Sequence, residues 1–321
     1  MRIATFHDHG GPEALVLGEA PEPRPGPTDV LIRILAAGVN RADVLQREGR
    51  YPPPSGAPKW PGLEVAGEIA AVGEGVERWA VGDAVCALLP GGGYAELAAV
   101  DAGLVLPVPA GLTMAEAGGL MEAACTVQSN LQAADARAGE RLLVHGGSGG
   151  VGHLAIQIGI ALGLDVWATA GGPERAARCA ELGAQTIDYR DDEFETTMAA
   201  AGGADVILDV VGAAYLSRNI EALASGGRLV VIGMQRGARA ELNLGQLLTK
   251  RAHVIGTTLR SRPLAQRRAI VAAVEEQIWP LVPQAVRPII HATVPLSRAA
   301  DAHRALESGT VFGKLVLTTG D

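Results

Sequence analysis

The stretch RLLVHGGSGGVGHLAIQIGIAL, residues 141–162, decides the fold. Its first five residues form the short apolar run of a buried strand, the glycines that follow predict a turn, and residues 151–162 have the length and composition of a helix. Apolar runs of strand length then alternate with helix-length segments, at residues 165–170, 185–189, 204–211, 228–232 and 252–259. This alternation predicts βαβ units and a doubly wound parallel sheet that is buried on both faces, so the fold class is α/β.

The chain outside this region has a different pattern. Residues 30–35 and 67–72 are strand-like apolar runs separated by turn residues, which predict a β-rich domain. The YPPP segment at residues 51–54 is predicted to be an ordered loop, because proline has no backbone N–H to donate. Residues 314–317 resemble one more strand, which we expect to return to the first domain and make it discontinuous.

Composition and charge exclude several classes of function. The 321 residues suggest about two domains of roughly 150 residues each. The formal net charge of −8 disfavours a phosphate backbone, so no nucleic-acid partner is expected. The three cysteines form no C-x-x-C pair and the N-terminus has no apolar signal segment, which predicts a reducing, cytoplasmic location. Residues 142–164 lack charged side chains but contain seven glycines, and no membrane span is predicted there.

The residues after the strand at 141–145 satisfy the pattern G-x-G-x-x-G, whose members are Gly147, Ser148, Gly149, Gly150, Val151 and Gly152. Gly147 is predicted to allow a tight turn, Gly149 to let the backbone approach a pyrophosphate, and Gly152 to let the helix pack close to the strand. Free N–H groups and the positive end of the helix dipole then bind the phosphates of a dinucleotide. The alternative is a glycine-rich turn without a ligand.

The end of the second strand predicts which dinucleotide binds. A site for NAD carries an acidic residue about 20 residues beyond the glycines, whereas this chain has only small residues there, with Gly171 and Gly172 placed at the cofactor. Small residues leave room for a 2′-phosphate, to which Arg175 can donate through its planar guanidinium and Tyr189 through its hydroxyl. The sequence therefore predicts NADPH as the cofactor. The alternative is that Arg175 is a solvated helix residue.

Further motifs are spread along the whole chain. They are HGGPE at residues 9–13, AGVNRAD at 37–43, YPPP at 51–54, PGLEVAG at 61–67, VGD at 81–83, GYAE at 93–96 and FGK at 312–314. With the glycine loop, they resemble the medium-chain dehydrogenase/reductase superfamily, specifically its zinc-free quinone oxidoreductase (zeta-crystallin-like) branch. The TLRSR segment at residues 258–262 looks like the subgroup that contains the human stress-inducible quinone oxidoreductase.

This resemblance implies an architecture and an assembly. We expect a GroES-like β-rich catalytic domain of residues 1–122 and 262–321, and a Rossmann domain of residues 123–261. We also expect a homodimer, because the last predicted strand, residues 252–259, is an exposed apolar sheet edge unless a second copy covers it.

The resemblance also predicts the absence of a metal. Zinc enzymes of the superfamily have a Cys where this chain has Asn40, a His where it has Leu63, and another Cys near Glu122. Zinc needs about three protein ligands, so none is expected here. Without a Lewis acid an alcohol does not become an alkoxide at neutral pH. A quinone or conjugated carbonyl instead accepts hydride from reduced nicotinamide with positioning and exclusion of water alone.

Asn40 and Tyr51 are the predicted catalytic residues, which the resemblance places in a cleft between the domains. The Asn40 amide can donate to the cofactor ribose or to the acceptor oxygen. The Tyr51 hydroxyl can donate to a quinone carbonyl as negative charge develops on it, and the alternative is that Tyr51 only packs against the adjacent prolines. Asp43 is predicted to be the N-cap of the helix that follows it.

Other residues are predicted to contact the cofactor. Thr126 is carried over from a Thr-Val pair of the family, with a helix hydroxyl bonded to backbone as the alternative. Lys314 is predicted to reach a cofactor phosphate or the cleft unless it is solvated. The predicted lining of the nicotinamide pocket is Gly233, Met234, Leu259 and Phe312.

Three functions stay open at this point. The first is an NADPH-dependent reductase that transfers hydride to quinones without a metal. The second is an enone, alkenal or enoyl-thioester reductase of the same superfamily, since fold does not fix the substrate. The third, which the acidic charge makes less favourable for RNA, is a nucleotide-binding protein without enzymatic activity.

Overall fold

The structure, a computed structural model, describes residues 1–320. The strands are β1 (Arg2–Thr5), β2 (Val16–Glu19), β3 (Asp29–Val39), β4 (Glu64–Val72), β5 (Ala84–Leu88), β6 (Leu97–Asp101), β7 (Val105–Pro107), β8 (Arg141–His145), β9 (Asp165–Ala170), β10 (Gln185–Asp188), β11 (Ala204–Asp209), β12 (Leu223–Val231), β13 (His253–Gly256), β14 (Ile290–Pro295) and β15 (Lys314–Thr318). The helices are α1 (Arg41–Arg47), α2 (Met114–Gly118), α3 (Met121–Ala133), α4 (Gly152–Ala161), α5 (Pro173–Glu181), α6 (Phe194–Ala200), α7 (Leu216–Ala222), α8 (Leu244–Lys250), α9 (Leu264–Gln277) and α10 (Ala299–Glu307).

The chain divides into two compact units. Unit 1 contains residues 1–125 and the segment that begins at Arg260, and unit 2 contains residues 126–259. The sequence led us to expect these boundaries after residues 122 and 261.

Unit 2 is built on a six-stranded parallel sheet. The strand order is β10-β9-β8-β11-β12-β13, and every neighbouring pair is parallel. The middle strands are buried on both faces, as Leu142, Leu143 and Leu208 show with at most 1% exposure. The α/β fold with a Rossmann sheet is therefore confirmed. Because the chain leaves β8 towards β9 and later returns to β11 on its other side, the loop after β8 lies where the strand order reverses.

The last strand of this sheet is shorter than the sequence predicts. β13 pairs with β12 only as far as Gly256, which lies opposite Val231. One further backbone hydrogen bond follows this pair, from the N–H of Thr257 to the carbonyl of Val231 at 3.3 Å. The prediction that the strand extends to residue 259 is therefore wrong.

Unit 1 contains a seven-stranded sheet in the order β14-β15-β3-β4-β5-β7, with β6 paired to β3. All these pairs are antiparallel except β14 with β15. Val30, Ile32 and Ile34 alternate along the long strand β3 and are buried to at least 99%, which forms the core of the unit. The returning strand at residues 314–317 is confirmed as β15, which pairs with β3.

The cap of α1 differs from the sequence prediction. Asn40, not Asp43, is the N-cap residue, and Asp43 lies three residues into the helix. Its carboxylate accepts the N–H of Asn40 at 2.8 Å, which is the returning half of a capping box. The N-cap position that the sequence assigned to Asp43 is therefore wrong, although its role as a cap is confirmed.

Two further properties concern the apolar segments and the cysteines. No helix within residues 1–320 is long and apolar enough to cross a membrane. All three cysteines are buried and free of disulfide bonds.

Candidate functional site

The glycine loop of unit 2 connects β8 to α4. The turn runs from Gly146 to Gly149, whose N–H donates to the carbonyl of Gly146 at 2.9 Å, and Gly146 has a φ of +70°. Gly147, which the sequence predicts to allow the turn, is a central residue of it and lies against the next strand, with its N–H donating to the carbonyl of Thr169 at 2.9 Å. A Cβ on Gly152 would lie 2.1 Å from the carbonyl oxygen of Gly146. The close approach of helix and strand that the sequence predicted at Gly152 is therefore confirmed.

This loop leaves backbone donors without acceptors. The N–H groups of Ser148, Gly150 and Val151 have no hydrogen-bond partner within residues 1–320. A Cβ on Gly149 would meet only one heavy atom within 4 Å, the carbonyl oxygen of Gly146. Free donors at the start of α4 and open space above Gly149 are the features that a pyrophosphate requires, so the loop fits a dinucleotide.

The carboxyl ends of β9 and β10 bring a second group of donors together. A Cβ on Gly171 would lie 2.4 Å from the Tyr189 hydroxyl, and one on Gly172 would lie 3.3 Å from Nη1 of Arg190. The side chains of Tyr189, Arg190 and the half-buried Arg175 have no hydrogen-bond or ionic partner in the described part of the chain. Arg190 was missed by the sequence reasoning, which considered only Arg175 and Tyr189.

The Asp188 carboxylate fixes the backbone beside these donors. It accepts the N–H of Gly172 at 2.9 Å and that of Arg190 at 3.1 Å. These two N–H donors hold the pKa of Asp188 below its usual value. The loop that carries Arg190 is thus tied to the loop that carries Gly172.

The loops after β11 and β12 pack closely at the same edge of the sheet. The Asp209 carboxylate accepts the N–H of Val211 at 2.7 Å and that of Gly212, and burial raises its pKa to about 6. Gly233 follows β12 in close contact with the backbone of residue 210, and the side chain of Met234 is 58% exposed. Both predicted pocket residues therefore lie at the carboxyl end of the sheet.

Two other predicted cofactor residues lie near the ends of unit 2. Thr126 is buried on α3, and its carbonyl oxygen accepts the side-chain amide of Asn130 at 2.6 Å. Leu259 lies beyond the end of β13 and is partly buried.

The polar centre of unit 1 is a buried cluster of Asn40, Glu64 and Lys314. Lys314 Nζ donates to Oδ1 of Asn40 at 2.7 Å and to Oε1 of Glu64 at 2.5 Å. Asn40 Nδ2 donates to the same Glu64 oxygen at 2.9 Å. Glu64 and Lys314 are at most 1% exposed, so the alternative that Lys314 is solvated is wrong.

The remaining oxygen of Glu64 is also bonded. Oε2 accepts the N–H of Glu122 at 3.0 Å, in the first turn of α3. A Cβ on Gly38 would lie 2.2 Å from Oε1, so the cluster depends on a residue without a side chain at this point of β3. Both oxygens of the carboxylate and both polar atoms of the Asn40 amide therefore have partners, and Asn40 is held in one orientation. One N–H of its amide stays free.

A second buried network lies beside this cluster. Asp43 accepts the N–H of Gly62 at 2.8 Å and the hydroxyl of Tyr94 at 3.3 Å. Burial raises the pKa of Asp43 to about 6 in spite of these donors. Tyr94 is 3.0 Å from Nε2 of His303, and Arg47 is 3.4 Å from Nδ1. Because arginine can only donate, Nδ1 accepts and Nε2 carries the proton towards Tyr94.

Tyr51, the other predicted catalytic residue, lies in the expected loop and is half-buried. Its hydroxyl has no hydrogen-bond partner among residues 1–320. The guanidinium of Arg260 lies over the ring, 5.3 Å from its centroid. The alternative that Tyr51 contacts only prolines is therefore wrong. Phe312, predicted in the nicotinamide pocket, is 2% exposed and belongs to this unit.

No group of three or more His, Cys, Asp and Glu side chains in the described part of the chain is placed to hold a metal ion. The buried acid in the polar centre, Glu64, has its oxygens on Lys314, Asn40 and the Glu122 backbone. This donor set is that of an ion pair, and it does not fit a zinc ligand shell.

Comparisons with known proteins agree with both halves of the fold. Residues 26–110 match the alcohol dehydrogenase GroES-like domain, and residues 150–276 match the family described as zinc-binding dehydrogenase. The chain is 35% identical to the quinone oxidoreductase of Rattus norvegicus, over 99% of this chain and 97% of that protein.

Solved structures of related proteins also resemble this chain over nearly its whole length. The quinone oxidoreductase of Thermus thermophilus, also solved in complex with NADPH, is 34% identical and superposes with a TM-score of 0.86 over 99% of this chain and all of that chain. The CurK enoyl reductase is 26% identical, with a TM-score of 0.86 over 99% of this chain and 98% of that one. The chain therefore belongs to the medium-chain dehydrogenase/reductase superfamily of oxidoreductases, with quinone oxidoreductases among its full-length relatives.

Proposed function

We propose that this protein is an NADPH-dependent reductase of quinones that works without a metal ion. The observation that carries the proposal is the buried cluster of Asn40, Glu64 and Lys314. Because the Lys314 ammonium already neutralises the Glu64 carboxylate, a divalent cation there would meet a like charge and would lack an anionic ligand. This arrangement therefore supports hydride transfer to an acceptor that needs no Lewis acid. The quinone oxidoreductase relatives support the choice of acceptor.

Unit 2 offers the groups that would hold the cofactor. The free N–H groups of Ser148, Gly150 and Val151 suit a pyrophosphate. Arg175 and Arg190 form no ion pair within residues 1–320, and with the Tyr189 hydroxyl they suit a 2′-phosphate, which supports NADPH over NADH. Roles for Thr126, Gly171, Gly172, Gly233, Met234, Leu259 and Phe312 at the cofactor stay proposals of the same kind.

The acceptor side of the proposal rests on two free donors in unit 1. When bound, the reduced nicotinamide supplies a hydride to the acceptor. The quinone gains that hydride and one proton from water, so two electrons and two protons complete the hydroquinone while the cofactor leaves as NADP⁺. The remaining N–H of Asn40 and the hydroxyl of Tyr51 can donate to the acceptor oxygen as it becomes negative.

The test is an acceptor panel with both dinucleotides. We expect oxidation of NADPH with 1,4-benzoquinone or 9,10-phenanthrenequinone, at a rate that a chelator does not change. The kcat/KM with NADPH should exceed that with NADH. Absence of turnover with every quinone, or loss of activity in chelator that zinc restores, would overturn the proposal.

Reduction of a conjugated alkene is the second candidate. The CurK enoyl reductase shares the fold over the whole chain, and the same donors would stabilise an enolate as well as a phenolate. Comparing kcat/KM for a quinone, an alkenal and a crotonyl thioester separates the two. Tight binding of NADPH without turnover of any acceptor would favour a non-enzymatic role.

We also propose that the protein forms a homodimer through the β13 edge. The outer edge of β13 is unpaired in the described chain, and Val254 on it is 42% exposed. Leu244 and Leu248 on the neighbouring α8 are 63% and 76% exposed. An uncovered apolar edge is a site of association, and a two-fold axis would pair two copies of it. Light scattering at micromolar concentration should give twice the chain mass, and a monomeric mass would contradict the proposal.

A further inference from the structure

Arg260 is a buried cation that forms no direct ion pair. The residue is 6% exposed, and no carboxylate lies within ion-pair distance of it in residues 1–320. Its guanidinium donates to neutral oxygens instead, to the carbonyl of Pro90 at 2.6 Å and to Oε1 of Gln46 at 2.7 Å. The Asp43 carboxylate acts on it only through space, so its charge is offset in part and stays available beside its direct neighbours.

The neighbours of Arg260 fix its position. Gln46 is 1% exposed and donates to the carbonyl of Lys59 at 2.8 Å, which directs its side-chain oxygen towards Arg260. Arg260 also donates to the backbone carbonyl of Tyr51 at 3.4 Å. A planar guanidinium held on three sides can stack on a ring in one orientation, which a lysine ammonium cannot reproduce.

The stacked partner is the ring of Tyr51, 5.3 Å from the guanidinium carbon. The hydroxyl of Tyr51 has no protein partner, whereas its ring and its carbonyl both contact Arg260. A cation on the ring face polarises the phenol and makes its O–H a better donor. The contacts therefore bring a fixed positive charge and a free hydroxyl donor to one place.

We propose that Arg260 is a positioning residue that acts through Tyr51, holding its ring and supplying the positive charge that stabilises the oxyanion of the acceptor. The inference rests on the proposed function, in which hydride addition places negative charge on the acceptor oxygen before a proton from water neutralises it. The demand for this charge is greatest for weakly electrophilic acceptors, so Arg260 also affects which acceptors are used.

The experiment compares Arg260→Met with Arg260→Lys. We expect Arg260→Met to lower kcat about 10- to 100-fold, as loss of a unit charge about 6–12 Å from the reacting oxygen predicts at an effective dielectric constant of about 20. The Kd for NADPH, from fluorescence titration, should change less than about twofold. Arg260→Lys keeps the charge without the planar fork and should recover part of kcat. The loss should be larger with an alkenal than with 1,4-benzoquinone.

A double-mutant cycle with Tyr51→Phe tests whether Arg260 acts through Tyr51. The combined loss in kcat should be smaller than the product of the two single losses. Arg141→Met is the matched control, because Arg141 also donates to a backbone carbonyl, that of Gly203, and begins β8 at the amino end of the unit 2 sheet. This control should keep wild-type kcat.

Several outcomes overturn the inference. It fails if folded Arg260→Met keeps kcat with every acceptor, if Arg260→Lys is no better than Arg260→Met, or if the losses multiply independently with Tyr51→Phe. Should Arg260→Met not fold, Gln46→Met keeps the charge but frees the guanidinium, and it must lower kcat more with the alkenal than with the quinone. A wild-type protein inactive with all acceptors would instead refute the proposed function itself.

Discussion

The glycine loop of unit 2 and the polar centre of unit 1 are built by opposite means. The loop presents the backbone N–H groups of Ser148, Gly150 and Val151, and its shape depends on the absence of side chains at Gly146 and Gly152. The polar centre is made of buried charged side chains from β4 and β15, with Asn40 between them. The backbone site is insensitive to side-chain charge but fails when a Cβ is added. The side-chain site fails when the charge of one of its members is removed.

The largest expected effect is on the polar centre. Lys314→Met leaves Glu64 as a buried carboxylate without its ion-pair partner, which should cost about 3–5 kcal/mol of unfolding free energy. Adding Glu64→Gln to Lys314→Met should recover much of this loss, since both charges are then absent. Denaturant unfolding measures both variants.

An exposed ion pair supplies the control for that experiment. Arg78 pairs with Glu275 at the surface, so Arg78→Met should cost less than about 1 kcal/mol. Equal losses of unfolding free energy in Arg78→Met and Lys314→Met would show that the buried ion pair of the polar centre contributes no more than an exposed one.

The glycine loop should respond to shape alone. Gly152→Ala places a Cβ against the carbonyl of Gly146 and should weaken NADPH binding about 10- to 100-fold, or about 1.4–2.8 kcal/mol. Gly256→Ala is the control within unit 2, because no heavy atom lies within 4 Å of the added Cβ. Fluorescence titration of NADPH measures the change. Unaltered binding in Gly152→Ala would show that the loop adapts by moving its backbone.

His303 gives unit 1 a pH dependence that the glycine loop lacks. Burial, with a contribution from Arg47, lowers the pKa of His303 from 6.5 to about 3. The unfolded chain therefore binds a proton between about pH 6.5 and 3 that the folded chain does not, and stability falls as the pH drops through this window. At pH 5 the loss from this group is about 2 kcal/mol.

The variant His303→Gln removes the contribution of this histidine to the pH dependence of stability. Its unfolding free energy should fall less between pH 7.5 and pH 5 than that of the wild type. The raised pKa of Asp43 has the opposite effect on stability. Below about pH 6 the folded chain binds a proton at Asp43 that the unfolded chain does not yet bind, so this group adds stability as the pH falls. Identical pH dependence in the variant and the wild type would show that His303 is protonated without unfolding.

The smallest effect should be on cofactor choice. Arg175→Ala and Arg190→Ala should each lower kcat/KM with NADPH about tenfold, the value of one charge-assisted hydrogen bond to a phosphate. NADH serves as the internal control and should change little with either variant. A parallel loss with both cofactors would show that these arginines support the fold of the loops and not the 2′-phosphate.

The same contrast explains what the sequence could predict. The strand, the turn and the helix at residues 141–162 are contiguous, so one window of sequence contained the whole loop. The pair of Glu64 and Lys314 is separated by 250 residues, and nothing local to either residue names the other. Arg260 was missed for the same reason, since its partners Pro90, Tyr51 and Gln46 come from distant parts of the chain.

Gly38 determines the order in which substitutions at the polar centre can be accepted. Even a methyl side chain at position 38 would overlap Oε1, Cδ and Cγ of Glu64, and an aspartate at position 64 would still have an atom at the Cγ position. Mutational paths through these two positions are therefore ordered. A library that randomises position 38 alone should return glycine, and other residues should become acceptable there only in a background such as Glu64→Ala, which removes all three atoms.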